Sequence, residues 1–78
     1  MKITVTKNHI KCGEKKSLSL CPIALAFGEI FPNEAIEVDN DAWTIQGLHR
    51  SFPLPESAKR FIERFDGEKT VKPFNFTI

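Results

Sequence analysis

The chain of 78 residues has no tyrosine, one tryptophan and only two cysteines. Two cysteines are too few for the disulfide framework that stabilises small secreted domains, so we expect both thiols to be reduced in a cytoplasmic protein. No apolar run approaches the roughly 20 residues that a membrane span requires. Residues 1–16 also lack the apolar core of a signal peptide. We therefore expect a soluble protein with no membrane partner.

Signatures of catalysis are also missing from the sequence. It contains no glycine-rich phosphate loop, no Walker pattern and no nucleophile elbow. We accordingly predict that the protein is not an enzyme and needs no cofactor. The candidate ligands for a zinc ion are His9, Cys12, Cys21 and His49, because His9-x-x-Cys12 has the spacing of metal ligands. These four residues do not form the paired clusters typical of zinc sites, and we predict no metal site.

Two smaller features have both a chemical and a structural interpretation. Cys21 opens a predicted helix, where the helix dipole would favour the reactive thiolate. The alternative, which we favour, is a helix-start residue packed partly in the core. Asp39 and Asp41 could together bind a hard cation, but nothing downstream completes a calcium loop. We interpret Asp39-Asn40-Asp41 as a hairpin turn.

Lysine and arginine are absent from residues 17–49, although the net charge of the chain is only +1. That segment contains five carboxylates, at Glu29, Glu34, Glu37, Asp39 and Asp41, whereas residues 1–16 carry five lysines and a single glutamate. Such a separation can produce a dipolar surface that orients a protein partner. The alternative is an ordinary solvated surface. The candidate partner-binding residues are the basic Lys59, Arg60 and Arg64 and the acidic Glu37, Asp39 and Asp41.

The alternation of apolar and polar residues predicts short strands at both ends of the chain and in its middle. The expected strands are at Ile3–Val5, Ile36–Val38, Trp43–Ile45 and Phe74–Ile78, with a further short strand at Arg50–Phe52. Thr6 is placed to cap a brief helical turn over Lys7–Cys12, with Gly13 as a left-handed terminator. Pro73 places the last strand at an edge or delays its start.

Two main helices are predicted, each preceded by proline. The first runs from Pro22 to Phe31, with apolar residues at Ile23, Phe27, Ile30 and Phe31. Gly28 costs about 1 kcal/mol in a helix interior, so we expect another part of the chain to pack closely there. The second covers the segment from Leu54 to Asp66 and is closed by Gly67. Its apolar face is formed by Leu54, Ala58, Phe61, Ile62 and Phe65, and Lys59, Arg60 and Arg64 share the opposite face.

This order of elements predicts a single α+β domain over residues 1–78. The expected arrangement is a small antiparallel sheet with both main helices on one face, in the order β-α-β-β-α-β. That order matches the split βαβ, ferredoxin-like motif. Because small sheets expose their edges, a homodimer is an additional expectation.

Several short motifs resemble those of a family of small proteins of unassigned function that bacteria and their phages encode. They are Cys-Pro-Ile-Ala-Leu-Ala at 21–26, Phe-Pro-Leu-Pro-x-x-Ala at 52–58, Phe-Ile-x-x-Phe-Asp-Gly at 61–67 and Val-x-Pro-Phe-x-Phe at 71–76. The resemblance implies a phage or prophage setting, in which such proteins often bind a host protein, for example a defence component. We expect a non-enzymatic protein that blocks a host or phage protein. The alternative is a nucleic-acid-associated regulator that uses the basic helix face.

Overall fold

The computed structural model describes all 78 residues and shows an α+β domain with two small antiparallel sheets. The first sheet joins the two ends of the chain, because β1 (Lys2–Val5) pairs with β5 (Phe74–Thr77). The second sheet is a meander of β2 (Ile36–Val38), β3 (Ala42–Ile45) and β4 (Arg50–Pro53). The predicted α+β class and the predicted strands are confirmed.

The five strands do not form the single sheet of the predicted ferredoxin-like arrangement. A single sheet would require β1 or β5 to hydrogen-bond a strand of the meander, and the two sheets have no such pairing. The two sheets are connected through side chains instead, because the ring of Phe27 packs against Trp43 of the meander and against Phe76 of the terminal sheet.

A short helix, α1 (Lys7–Cys12), follows the first strand as predicted. The Thr6 hydroxyl accepts the His9 N–H at 3.3 Å, and His9 Nδ1 accepts the Thr6 N–H at 2.9 Å. This is a reciprocal capping box in which histidine replaces the usual glutamate or glutamine. Gly13 does end the helix, but its φ of −72° is not left-handed. A Cβ there would lie 2.7 Å from the Pro22 ring, so glycine is required for space rather than for backbone conformation.

The central helix, α2 (Pro22–Ile30), is the most buried element of the protein. Its Cys21 Sγ caps the helix by accepting the Ala24 N–H at 3.4 Å, and Pro22 occupies the first helical position, where no donor is needed. Ile23 and Phe27 are fully buried, as predicted. Ile30, which was predicted to share this face, is the last helical residue and is exposed.

The third helix, α3 (Glu56–Asp66), buries the predicted apolar face of Ala58, Phe61, Ile62 and Phe65. Two contacts connect the loop after α1 to the C-terminal end of α3. The Lys16 N–H donates to Asp66 Oδ1 at 2.9 Å, and Lys15 Nζ donates to Glu68 Oε1 at 3.0 Å. The Lys15 hydrogen bond lowers the pKa of the Glu68 carboxyl. Because the pair is exposed, it contributes little to stability.

One continuous core contains residues from both sheets, α2 and α3. Its centre is an aromatic stack in which Trp43 lies between Phe27, at a centroid distance of 4.5 Å, and Phe52, at 4.6 Å. A second stack places Phe74 against Phe61 at 4.8 Å and against Phe76 at 5.6 Å.

None of the three helices combines the length and the apolar composition that a membrane-spanning helix requires.

Candidate functional site

The largest concave surface is an open groove of about 620 Å³ between α1, α2 and β2. Part of its lining is apolar, from Ala24, Leu25, Gly28 and Ile36, and three carboxylates also line it, from Glu29, Glu34 and Glu37. No lysine or arginine lines the groove. We call this surface the acidic groove. Its volume lies within the range of about 300–1,000 Å³ that is typical of ligand sites, although its open shape suits a peptide better than an enclosed small molecule.

Gly28 lies in the last turn of α2, two residues before its end at Ile30, and forms part of the acidic groove. The close packing predicted at this residue is wrong, because a Cβ placed on Gly28 would meet no atom within 4 Å. The glycine therefore leaves a stretch of the α2 surface open to the groove. Nothing in the fold of this chain explains the cost of a glycine at this position.

Replacing Gly28 with alanine is expected to raise the free energy of unfolding by up to about 1 kcal/mol, because alanine has the higher helix propensity and meets no clash. Urea denaturation followed by far-UV circular dichroism measures the change. A matched substitution at Gly13 serves as the contrast, since its new Cβ would collide with the Pro22 ring. A loss of stability in Gly28→Ala would contradict the open space described for this residue.

His9 forms one side of the acidic groove and connects α1 with Glu29 of α2. Because Nδ1 accepts the Thr6 N–H, the neutral imidazole carries its proton on Nε2, which donates to the Glu29 carboxylate. His9 is buried, whereas the Glu29 side chain is 69% exposed. Both ring nitrogens are thus occupied by contacts that hold the groove in shape, and neither is free to act as a catalytic base.

A second, smaller cleft of about 300 Å³ lies between α3 and the segment that leads into β5. Arg60, Arg64 and Lys72 line it, together with Phe61, Val71 and Phe74 and the hydroxyl-bearing Ser57 and Thr70. No carboxylate is present in this lining. We call this surface the basic cleft.

The structure divides the predicted basic residues. Arg60 and Arg64 lie together in the basic cleft, but Lys59 is not part of its lining. Adjacent helical residues differ by about 100° around the axis, so Lys59 lies on the same polar side of α3 as Arg60 and Arg64, opposite the buried residues, but at its other edge. Lys72 takes the third place, and no pattern in the sequence pointed to it, because it follows α3 in a non-helical segment.

The predicted acidic residues are also separated. Glu37 lies in the acidic groove, where its Oε1 accepts a hydrogen bond from Gln46 Nε2 at 2.8 Å. Asp39 Oδ1 instead accepts the N–H groups of Asp41 and Ala42, at 2.8 and 2.7 Å, and so fixes the turn between β2 and β3. These bonds support the turn interpretation of Asp39-Asn40-Asp41.

The two cysteines lie in different environments. Cys12 is exposed in the lining of the acidic groove, and Cys21 is buried at the start of α2. Burial raises the pKa of the Cys21 thiol, and this effect outweighs the hydrogen bond from the Ala24 N–H, which lowers it. Cys21 is therefore a protonated packing residue rather than an activated nucleophile.

Thiol labelling checks this difference. Iodoacetamide at neutral pH is expected to modify Cys12 in the folded protein and Cys21 only after denaturation. The pKa of the Cys21 thiol is higher in the folded than in the unfolded protein, so the folded state favours the protonated thiol. The stability that depends on this thiol is therefore fully present below the pKa of the unfolded thiol and is lost as the pH rises through the pKa of the folded thiol. Peptide mass mapping reads the modification, and rapid labelling of Cys21 without denaturant would contradict its burial.

The four residues considered for zinc do not converge. No group of three or more histidine, cysteine, aspartate or glutamate side chains is arranged to hold a metal ion. His9 contacts Glu29, Cys21 caps α2, and His49 adopts a left-handed backbone conformation with φ of 51° after the 3-10 turn Gln46–Leu48.

Comparison with protein-family models, with curated proteins and with solved structures finds no match to this chain. The interpretation of its surfaces therefore depends on their own geometry and charge.

Proposed function

We propose that the protein is a non-enzymatic binding module whose acidic groove holds a basic segment of a partner protein. The observation that carries the proposal is the open surface at Gly28. A glycine within a helix is less favourable than alanine because it loses more backbone freedom on folding, and a partner side chain or backbone packing closely at Gly28 would account for its presence.

The composition of the groove supports a peptide as its ligand. The half-buried Leu25 offers apolar area to bury, and the carboxylates of Glu34 and Glu37 offer partners for lysine or arginine. Recognition sites commonly combine an apolar surface with a small number of charged groups that fix orientation. Glu34 forms no ion pair with this chain, so its charge is available to a partner.

The resemblance to small proteins of bacteria and their phages suggests the biological setting of this activity. In that setting the protein would act in the cytoplasm of the host cell, where it would block a host or phage protein by occupying its basic segment. A defence component of the host is one such target.

Site-specific photocrosslinking in bacterial cells tests the proposal. A benzophenone amino acid is placed at the exposed Ser19, in the lining of the acidic groove, and at the exposed Glu56 of α3 as the matched control. We expect a discrete crosslinked protein from the first position only. Gly28→Arg should abolish that product, because its side chain carries a positive charge and bulk into the groove, whereas Gly28→Ala should retain most of it.

Circular dichroism of both Gly28 variants establishes that the fold persists, which the open space around the residue leads us to expect. Identical products from positions 19 and 56, or a product that survives Gly28→Arg, would overturn the proposal.

A further inference from the structure

We infer that the basic cleft is a second recognition site, independent of the acidic groove, and that it binds an acidic segment of a partner protein. Arg60, Arg64 and Lys72 meet there without a carboxylate. None of these three residues forms an ion pair within the protein, whose ion pairs are His9–Glu29 and Lys15–Glu68. Their charges are therefore not neutralised by the fold.

The geometry of the two arginines suits carboxylate recognition. Arg60 and Arg64 are four residues apart on α3, a spacing that places their Cβ atoms about 5–6 Å from each other. One guanidinium nitrogen of Arg64 donates to the Thr70 carbonyl at 3.1 Å, which fixes the side chain against the segment leading to β5. A guanidinium that is held in place and keeps further donors free can form a bidentate pair with a carboxylate.

The apolar part of the lining increases the effect of these charges. Phe61 is buried, and Val71 and Phe74 are half-buried beside the cations. A ligand that covers this surface would exclude water from the ion pairs, and charge pairs are stronger where the surroundings are less polar. A volume of about 300 Å³ accommodates a few side chains, which indicates a short segment.

The aromatic packing favours an acidic peptide over a nucleic acid. Binding of single strands depends on aromatic rings with a free face on which bases stack. Phe74 already stacks on both Phe61 and Phe76, and these two rings do not pair with each other. The rings of the cleft thus already pack on other rings of the protein, and its guanidinium donors are the groups that suit carboxylates.

Nuclear magnetic resonance titration of the ¹⁵N-labelled protein with hexaglutamate tests the inference at low ionic strength. We expect amide shifts confined to α3 and residues 70–74, and no such shifts with hexalysine. The double variant Arg60→Gln, Lys72→Gln should weaken hexaglutamate binding by about tenfold or more, because two charge pairs are lost. Lys59→Gln, on the same helix but outside the cleft, should change the affinity by less than about twofold.

Three outcomes would overturn the inference. An equal loss in Lys59→Gln and in the double variant would indicate diffuse attraction, and no shift with hexaglutamate would remove the site. Tighter binding of a short oligothymidylate than of hexaglutamate would assign the cleft to nucleic acid instead. Because the probe and the variants do not involve the acidic groove, each outcome is distinguishable from failure of the proposed function.

Discussion

Replacing Phe27 with alanine is expected to remove about 3–5 kcal/mol from the free energy of unfolding. Phe27 is fully buried, and its ring contacts Trp43 in the meander and Phe76 in the terminal sheet, at centroid distances of 4.5 and 6.0 Å. No backbone hydrogen bonds connect the two sheets. Loss of this ring therefore leaves a cavity at the position where the two sheets are joined.

The expected loss of free energy is large compared with the total stability of so small a domain. At roughly 0.05–0.15 kcal/mol per residue, a chain of 78 residues has a total stability of about 4–12 kcal/mol. Phe27→Ala is thus expected to remove at least about a quarter of the total stability, which urea denaturation followed by far-UV circular dichroism measures.

Phe31→Ala is the matched control for this prediction. Phe31 lies 6.1 Å from Trp43 but is only half-buried, so its removal should cost clearly less. A loss of less than about 1 kcal/mol in Phe27→Ala would contradict a bridging role, because a fully buried phenylalanine ordinarily contributes more.

The secondary structure was predictable because it depends on local signals. The proline before each main helix, the Thr6 cap and the alternation at Ile36–Val38 and Phe74–Thr77 all act within a few residues. The arrangement of the strands was not predictable in the same way. Whether β1 joins the meander or pairs only with β5 depends on contacts between segments distant in sequence, such as those of Phe27 with Trp43 and Phe76, and no local pattern identifies these contacts.

The candidate surfaces show the same division between local and distant information. Glu37 and the pair Arg60 and Arg64 were identified from charge, and each lines a concave surface. The charge pattern did not identify Lys72 or the buried His9, because the positions of these residues depend on the packing of segments distant in sequence. The sequence marked Gly28 as unusual and predicted close packing there, whereas the structure shows open space. A glycine that permits close packing and a glycine that leaves a groove open cannot be distinguished from the sequence.

Replacing His9 with alanine is expected to have the second largest effect, about 2–4 kcal/mol, since truncating a large buried side chain to alanine costs about 2–5 kcal/mol and losing a helix cap about 0.5–2 kcal/mol. The substitution removes the acceptor of the Thr6 N–H, the contact with Glu29 and a buried side chain. A helix of six residues is unstable by itself, so α1 depends on its cap at Thr6 and on its packing against the rest of the protein. Urea denaturation measures the loss of stability.

Two control variants separate the contributions of His9. Glutamine at this position can accept the Thr6 N–H as in an ordinary capping box, so His9→Gln should restore part of the stability. Glu29→Gln keeps an oxygen that accepts from Nε2, and because this side chain is 69% exposed, it should cost less than about 0.5 kcal/mol. Equal losses in His9→Ala and His9→Gln would exclude the capping bond as the source of stability. A loss in Glu29→Gln as large as that in His9→Ala would show instead that a charged pair holds α1 against α2.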